Sequence, residues 1–313
     1  MNPAHALMIK TNHYLIKGGE LTQQHKATIT SKLLAAKSTP QDATRRFAKI
    51  KGRERDMYPF SYVLPYNGGE KPVTILNQRP KTQILSMNSY ELEILRLLCL
   101  FAPNDPAVQE MTGKTIRRLK NTCFGGKGCS TGECYDAGLV TLRFAATAAP
   151  KDIGWMANLV STYNGSALKR KRSRYYGHDY LHYYSWYYWL CLSELPQHLA
   201  EPEIARHANE ILSVVNKGLE MTTEANKVLS PVKLSLVKNC ISRLPAYAYI
   251  GEQLPCESKD GRLHLDFKTE HAVMKDVQYT RNEPKITKAE VNAENKKHIP
   301  TDDKITWAEI MVN

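Results

Sequence analysis

Three cysteines fall within a twelve-residue segment, CFGGKGCSTGEC, at Cys123, Cys129 and Cys134. Four glycines and Lys127 stand between them. Glycines let backbone N–H groups converge, and Lys127 adds charge, so the segment suits a phosphate at the start of the next helix. Ser130, Thr131 and Glu133 are fitting caps for that helix. The same thiols offer three of the four ligands of a tetrahedral zinc. A fourth could come from His178 or His182, which are four apart and share a helix face. The spacing is unlike that of paired CxxC knuckles, however, and Asp179 stands where a metalloprotease helix carries glutamate. We therefore expect no bound metal and no cofactor. Nor is there a P-loop: Gly113-Lys114-Thr115 has its local form, but Val108 occupies the place of the first glycine.

A second segment carries a different chemistry. Lys169 to Arg174 reads KRKRSR, five bases in six positions, and Tyr175 to Trp189 holds nine aromatics in 15 residues. Bases neutralise phosphates, and aromatic faces stack on unpaired nucleobases. Lys169, Arg170, Lys171, Arg172, Arg174, Tyr175 and Tyr176 are the expected contacts. Lys114, Arg117, Arg118 and Lys120, on the helix before the cysteine loop, join them together with Lys127. Tyr184, Tyr187, Tyr188 and Cys191 also fit a buried helix, where tyrosines pack with hydroxyls reaching outward. Overall charge agrees with a polyanionic partner, at 43 Lys plus Arg against 31 Asp plus Glu, a net of +12. Residues 1–86 hold 14 of those bases and 5 of the acids.

The elements that must position these residues follow a period. Pro103, Pro150, Pro196 and Pro245 close four apolar segments at intervals of 47, 46 and 49 residues. The first, around Leu92 to Phe101, is apolar nearly all round and reads as a buried helix. After the prolines come amphipathic patterns: Ile153, Met156, Leu159 and Val160, then Ile204, Ala208, Ile211, Leu212 and Val215. Asn88 or Ser89, Asp105-Pro106, Asp152 and Glu201-Pro202 stand where helices should begin. In period and helix pairing the stretch from Ser89 to Leu254 resembles HEAT-like or armadillo-like helical repeats. The Leu-Arg pair recurs at Leu95-Arg96 and Leu142-Arg143 but not in the later units, which leaves an ordinary helical bundle as the alternative.

We expect a mainly α fold, an α-solenoid or helical-bundle core over residues 87–256. Residues 1–86 read as a basic, irregular extension, with a short hairpin of Tyr62-Val63-Leu64 and Val73 to Leu76 around Asn67-Gly68-Gly69. Residues 257–313 read as a polar, disordered tail, with a docking helix at Ile305 to Val312. No apolar run approaches the roughly 20 residues of a transmembrane helix. The N-terminus lacks a secretory pattern, so a cytoplasmic location is expected. The chain has seven cysteines; Cys99, Cys191 and Cys240 lie in apolar segments and read as buried thiols. No catalytic triad can be picked out. The expected function is nucleic-acid binding (DNA or RNA) or scaffolding, with no membrane partner. One alternative is an enzyme acting on nucleic acid, of the HEAT-like DNA glycosylase type, with Trp186, Trp189 and Asp179 or Asp136 at the reacting base. The other is a helical scaffold for an acidic protein.

Overall fold

Proline and a small polar residue open helix after helix. Asn2 and Pro3 start α1 (Pro3–Ile16), where the Asn2 side chain accepts from Ala4 N. Thr22 does the same for α2 (Gln23–Ala35). Thr39 and Asp42 form a reciprocal capping box on α3 (Pro40–Phe47). Asp105 starts α5 (Pro106–Asn121) by accepting from Ala107 N and Val108 N. The computed structural model describes residues 2–50, 52–63, 73–77, 80, 83–126, 132–170, 178–245 and 256–265. Among these the chain is mainly α-helical.

Four helices form the interior: α4 (Gln83–Phe101), α6 (Gly132–Ala148), α8 (His178–Glu194) and the amphipathic α10 (Glu224–Ile241). Each packs on the next. Their partners α5, α7 (Ile153–Arg170) and α9 (Gln197–Lys217) each pack on the interior helix before them. Pro103, Pro150, Pro196 and Pro245 fall just past the ends of the four interior helices. Two of the three steps between interior helices share one contact. The Cys191 thiol on α8 meets the Leu139 carbonyl on α6 at 3.2 Å. The Cys240 thiol on α10 meets the Trp189 carbonyl on α8 at 3.0 Å.

The N-terminal region departs from expectation. Three helices stand where an irregular extension was expected, and α1 packs on both α4 and α10. Asn239 Nδ2 donates to Ile16 O at the end of α1, at 3.2 Å. On the same helix His5 and His13 hold the Val73 and Ile75 carbonyls at 2.8 and 2.5 Å. Tyr62, Val63 and Val73 to Leu76 carry no strand, and the rest of the expected hairpin lies outside the described residues.

Two starts also shift. Asn88 and Ser89 are buried inside α4, which begins earlier at Gln83, and Pro202 sits inside α9, which begins at Gln197. The polar tail begins with a strand pair, β2 (Cys256–Lys259) and β3 (Arg262–Leu265), and β3 also pairs with β1 (Leu219–Glu220). Asp260 and Gly261, both at positive φ (51° and 68°), make the two-residue turn between β2 and β3. This small sheet packs on α9 and α10. The expected Ile305 to Val312 helix lies outside the described residues.

Candidate functional site

Glu91 and Glu93 are two apart on α4, so they project to opposite sides of it. Both are buried, and each recruits an arginine. Glu91 Oε2 accepts from Arg118 Nη2 on α5 at 2.7 Å, with both side chains at most 1 % exposed. Its Oε1 accepts from the backbone N–H of Phe60 and Ser61 at 2.9 and 2.8 Å. Arg118 also donates to Asn88 Oδ1 and to the Asp56 carbonyl, both at 3.0 Å. Beside it Arg55 lies over the Phe47 and Phe60 rings, and burial followed by the nearby Arg118 charge brings its pKa down to about 10.

Glu93 faces α6 and α8. Arg143 Nη1 donates to its Oε2 at 2.5 Å, and the Tyr187 hydroxyl donates to its Oε1. Arg143 grips Glu194 with two parallel bonds, Nε at 2.9 Å and Nη2 at 2.8 Å. Arg96 Nη2 reaches the same Glu194 carboxylate at 2.8 Å, and its Nη1 reaches Asn12 Oδ1 on α1 at 3.3 Å. The network therefore joins α1, α4, α6 and α8. Burial works against the Arg143 charge, but Glu194 and Glu93 outweigh it and hold the guanidinium pKa well above its ordinary value. Burial likewise opposes the Glu194 carboxylate, and Arg143 with Arg96 outweighs it and lowers that pKa. Burial and then Glu93 push the Tyr187 hydroxyl well up. Two carboxylates and two guanidiniums cancel, as do Glu91 and Arg118. Paired in this way, the four charged groups tie side chains of α1, α4, α6 and α8 to one another.

The bases expected to meet phosphate divide. On α5, Lys114, Arg117 and Lys120 follow at intervals of three and share one outer stripe, half-buried or exposed. Arg118 points inward and is spent on Glu91, so it is not a surface contact. Lys114 pairs with Glu110 at 2.6 Å. Lys120 pairs with Asp152 at 2.6 Å and lies over the Trp155 ring at 5.3 Å. Lys169 and Arg170 are the last residues of α7, with side chains outside the described set. Lys127, Lys171, Arg172, Arg174, Tyr175 and Tyr176 also lie outside it. So do the side chains of His178, Asp179, His182 and Tyr184.

The first half of the cysteine loop is a tight turn. Gly125 N donates to Thr122 Oγ1 and Gly126 N to Thr122 O, both at 2.9 Å. Those two N–H groups are therefore committed internally, and the expected anion cradle is not formed by them. The carbonyls face α7: Trp155 Nε1 donates to Gly125 O at 2.7 Å and Asn158 Nδ2 to Gly126 O at 3.2 Å. Only glycine fits at either place, since a Cβ at Gly125 or Gly126 would stand 2.3 or 2.0 Å from the Leu119 or Lys120 carbonyl oxygen. Cys123 and Cys134 come together, Sγ to Sγ 3.7 Å, both half-buried. Among the described residues no group of three or more His, Cys, Asp or Glu side chains is placed to hold a metal.

Of the glycosylase-type candidates, Trp189 is 2 % exposed and belongs to the core, so it cannot stack on a nucleobase. Trp186 packs edge-on against it at 5.0 Å and is half-buried. Asp136 is buried in α6. The ionic network itself is not evident from the sequence. Its signal was the recurring Leu-Arg pair, because Arg96 and Arg143 are the two guanidiniums that meet at Glu194. No helix among the described residues is long and apolar enough to cross a membrane. Comparison with known protein families, with curated proteins and with solved structures finds no match to this chain.

Proposed function

We propose that this chain is a cytoplasmic nucleic-acid-binding protein, a stack of helix pairs that meets phosphates along α7 and the outer stripe of α5. One observation carries the reading. Helix α7 has no charged side chain from Ile153 to Leu168, yet bases gather at both its ends. Exposed Lys151 and Lys120 stand at the start, and the KRKRSR segment begins in its last turn. Eighteen residues of helix span about 27 Å. At about 3.4 Å of duplex axis per phosphate on one strand, that separation covers about eight phosphates. A neutral face with cationic ends lets a backbone lie close and be held at two places. The two buried networks support the same reading, since the charges within each cancel and the excess of +12 falls on other residues.

The test is a fluorescence titration of single- and double-stranded DNA and RNA at two salt concentrations. Replacing Lys169, Arg170, Lys171 and Arg172 together by alanine should weaken binding uniformly across sequences. It should also flatten the dependence of log K on log salt by about one unit per lost contact. Replacing Lys114, Arg117 and Lys120 should have a smaller effect of the same kind. Binding no tighter than about 100 μM at moderate salt, within the range of non-specific association, overturns the proposal. The scaffold for an acidic protein then takes its place.

A further inference from the structure

The cysteine loop holds a feature that phosphate binding does not use. Cys123 lies two residues past the end of α5, on the turn that Thr122 and Trp155 fix. Cys134 lies in the first turn of α6. The two backbones are thus held independently, one by the turn and one by a helix, and between them they bring the thiols into contact at 3.7 Å. Both are partly open to solvent, and at 3.7 Å no covalent bond joins the two sulfurs. The other two thiol contacts described above, at Cys191 and Cys240, are fully buried and run to carbonyls. Only here do two sulfurs meet among the described residues.

We propose that Cys123 and Cys134 are a thiol pair that closes to a reversible disulfide, tying the end of α5 to the start of α6. The sulfurs need to approach by about 1.7 Å to reach the bond length of ~2.04 Å. The proposal requires side-chain rotation to supply a movement of that size while the Gly125 and Gly126 turn stays where Trp155 holds it. A low-molecular-weight disulfide such as oxidised glutathione serves as oxidant. One thiol loses its proton to water and attacks a glutathione sulfur, forming a mixed disulfide and releasing one reduced glutathione. The second thiol, likewise deprotonated, attacks the protein sulfur of that mixed disulfide. A protein disulfide forms and a second glutathione leaves. The two electrons given up by the protein thiols end on the two released glutathione molecules.

The experiment uses the full chain, reduced and then exposed to oxidised glutathione, and reads intact mass and linked peptides. Cleavage after Lys127 and after Glu133 places Cys123, Cys129 and Cys134 on three separate peptides. We expect the wild-type chain to lose two hydrogens between Cys123 and Cys134, with no adduct left on either. A single linked pair of peptides should carry Cys123 and Cys134, and a reductant should reverse it. Cys129→Ser should form the same bond. Cys123→Ser and Cys134→Ser should instead each retain one glutathione, because the resolving thiol is gone. A bond that joins Cys129 to either partner, or one that vanishes in Cys129→Ser, overturns the assignment. So does a wild-type chain that stays glutathionylated like the single variants. Because these readouts are covalent, they stand or fall apart from nucleic-acid binding.

Discussion

Two sets of ion pairs in this protein have nearly the same geometry and opposite surroundings. In the interior, Arg143 and Arg96 meet Glu93 and Glu194 at 2.5 to 2.8 Å, with all but Glu194 under a tenth exposed. At the α5–α7 surface, Lys120 meets Asp152 at 2.6 Å with both more than a third exposed. Distance alone would rank them equal. Solvation separates them, because water already stabilises the surface ions whether paired or apart, while the interior ions have only one another. The interior set is therefore costly to break and poor as a site. Its surface counterpart is cheap to break and free to exchange partners.

Arg143→Met should have the largest effect. It strands Glu93 and Glu194 with Arg96 alone, and the expected loss is about 3–5 kcal/mol in urea unfolding. A loss under about 1 kcal/mol would make the interior set no different from a surface pair. The smaller interior pair allows a finer cut. Arg118→Met should cost a similar amount, and adding Glu91→Gln should recover at least about 1 kcal/mol. Glutamine removes the stranded charge yet still accepts from the Phe60 and Ser61 N–H groups. A double variant less stable than the single would show that the carboxylate stabilises those N–H groups even without its arginine.

Thiols report the same contrast by reactivity. Burial raises the pKa of Cys191 and Cys240, so a native-state alkylating reagent should reach them only through unfolding. Their modification should be slower than that of Cys123 or Cys134 by a factor of about 1,000 or more, given ordinary domain stability. Comparable rates at all four would mean that the α8–α10 interior opens locally.

A second contrast is between ions paired with a counter-charge and histidines hydrogen-bonded to backbone carbonyls. Burial lowers the pKa of His5 and His13 from 6.5, against the opposing pull of the Val73 and Ile75 carbonyls. The unfolded chain thus holds more protons than the folded one from pH 6.5 down to the lowered values. The contribution of these histidines is complete above pH 6.5 and falls as pH drops below it, by at most about 1.4 kcal/mol per pH unit for each. Unfolding midpoints from pH 7.5 to about 5 should drop more steeply for the wild type than for His5→Gln/His13→Gln. Parallel curves would remove the histidines from the acid response.

What the sequence made legible follows the same division. Prolines and apolar runs announced α4 through α10, because burying a helix leaves a pattern that does not depend on its neighbours. The ionic network was not announced, because a charge inside an apolar helix reads as a surface position until its counter-charge is located on another helix. Glu93 and Glu194 are 101 positions apart, and only the repeated Arg96 and Arg143 hinted at a shared partner. The N-terminal helices were missed for the opposite reason. Helix α2 buries only Leu33 fully, so its sequence has hardly any apolar stripe. The Asp260-Gly261 turn was a readable signal inside a stretch set aside for its polarity. Of the candidate interface, the outer stripe of α5 was legible except at Arg118, whose inward direction depends on Glu91.

The smallest expected effect belongs to the surface pair and separates its structural role from its proposed one. Asp152 both accepts from Trp155 N at 3.2 Å, capping α7, and neutralises Lys120. Asp152→Asn keeps a side-chain oxygen for the cap and removes the counter-charge. Stability should fall by under about 1 kcal/mol, the ordinary worth of an exposed pair. If Lys120 meets phosphate, nucleic-acid affinity should rise in the same variant, because a competing carboxylate is gone, and the salt dependence should steepen by up to about one contact. Lys120→Ala should reverse that gain with a similarly small effect on stability. Affinity that ignores both substitutions would place the contact elsewhere, at the KRKRSR end of α7. An affinity that falls in Asp152→Asn would mean that the pair is held for its geometry, with Lys120 fixed over Trp155, and not as a reserve of charge.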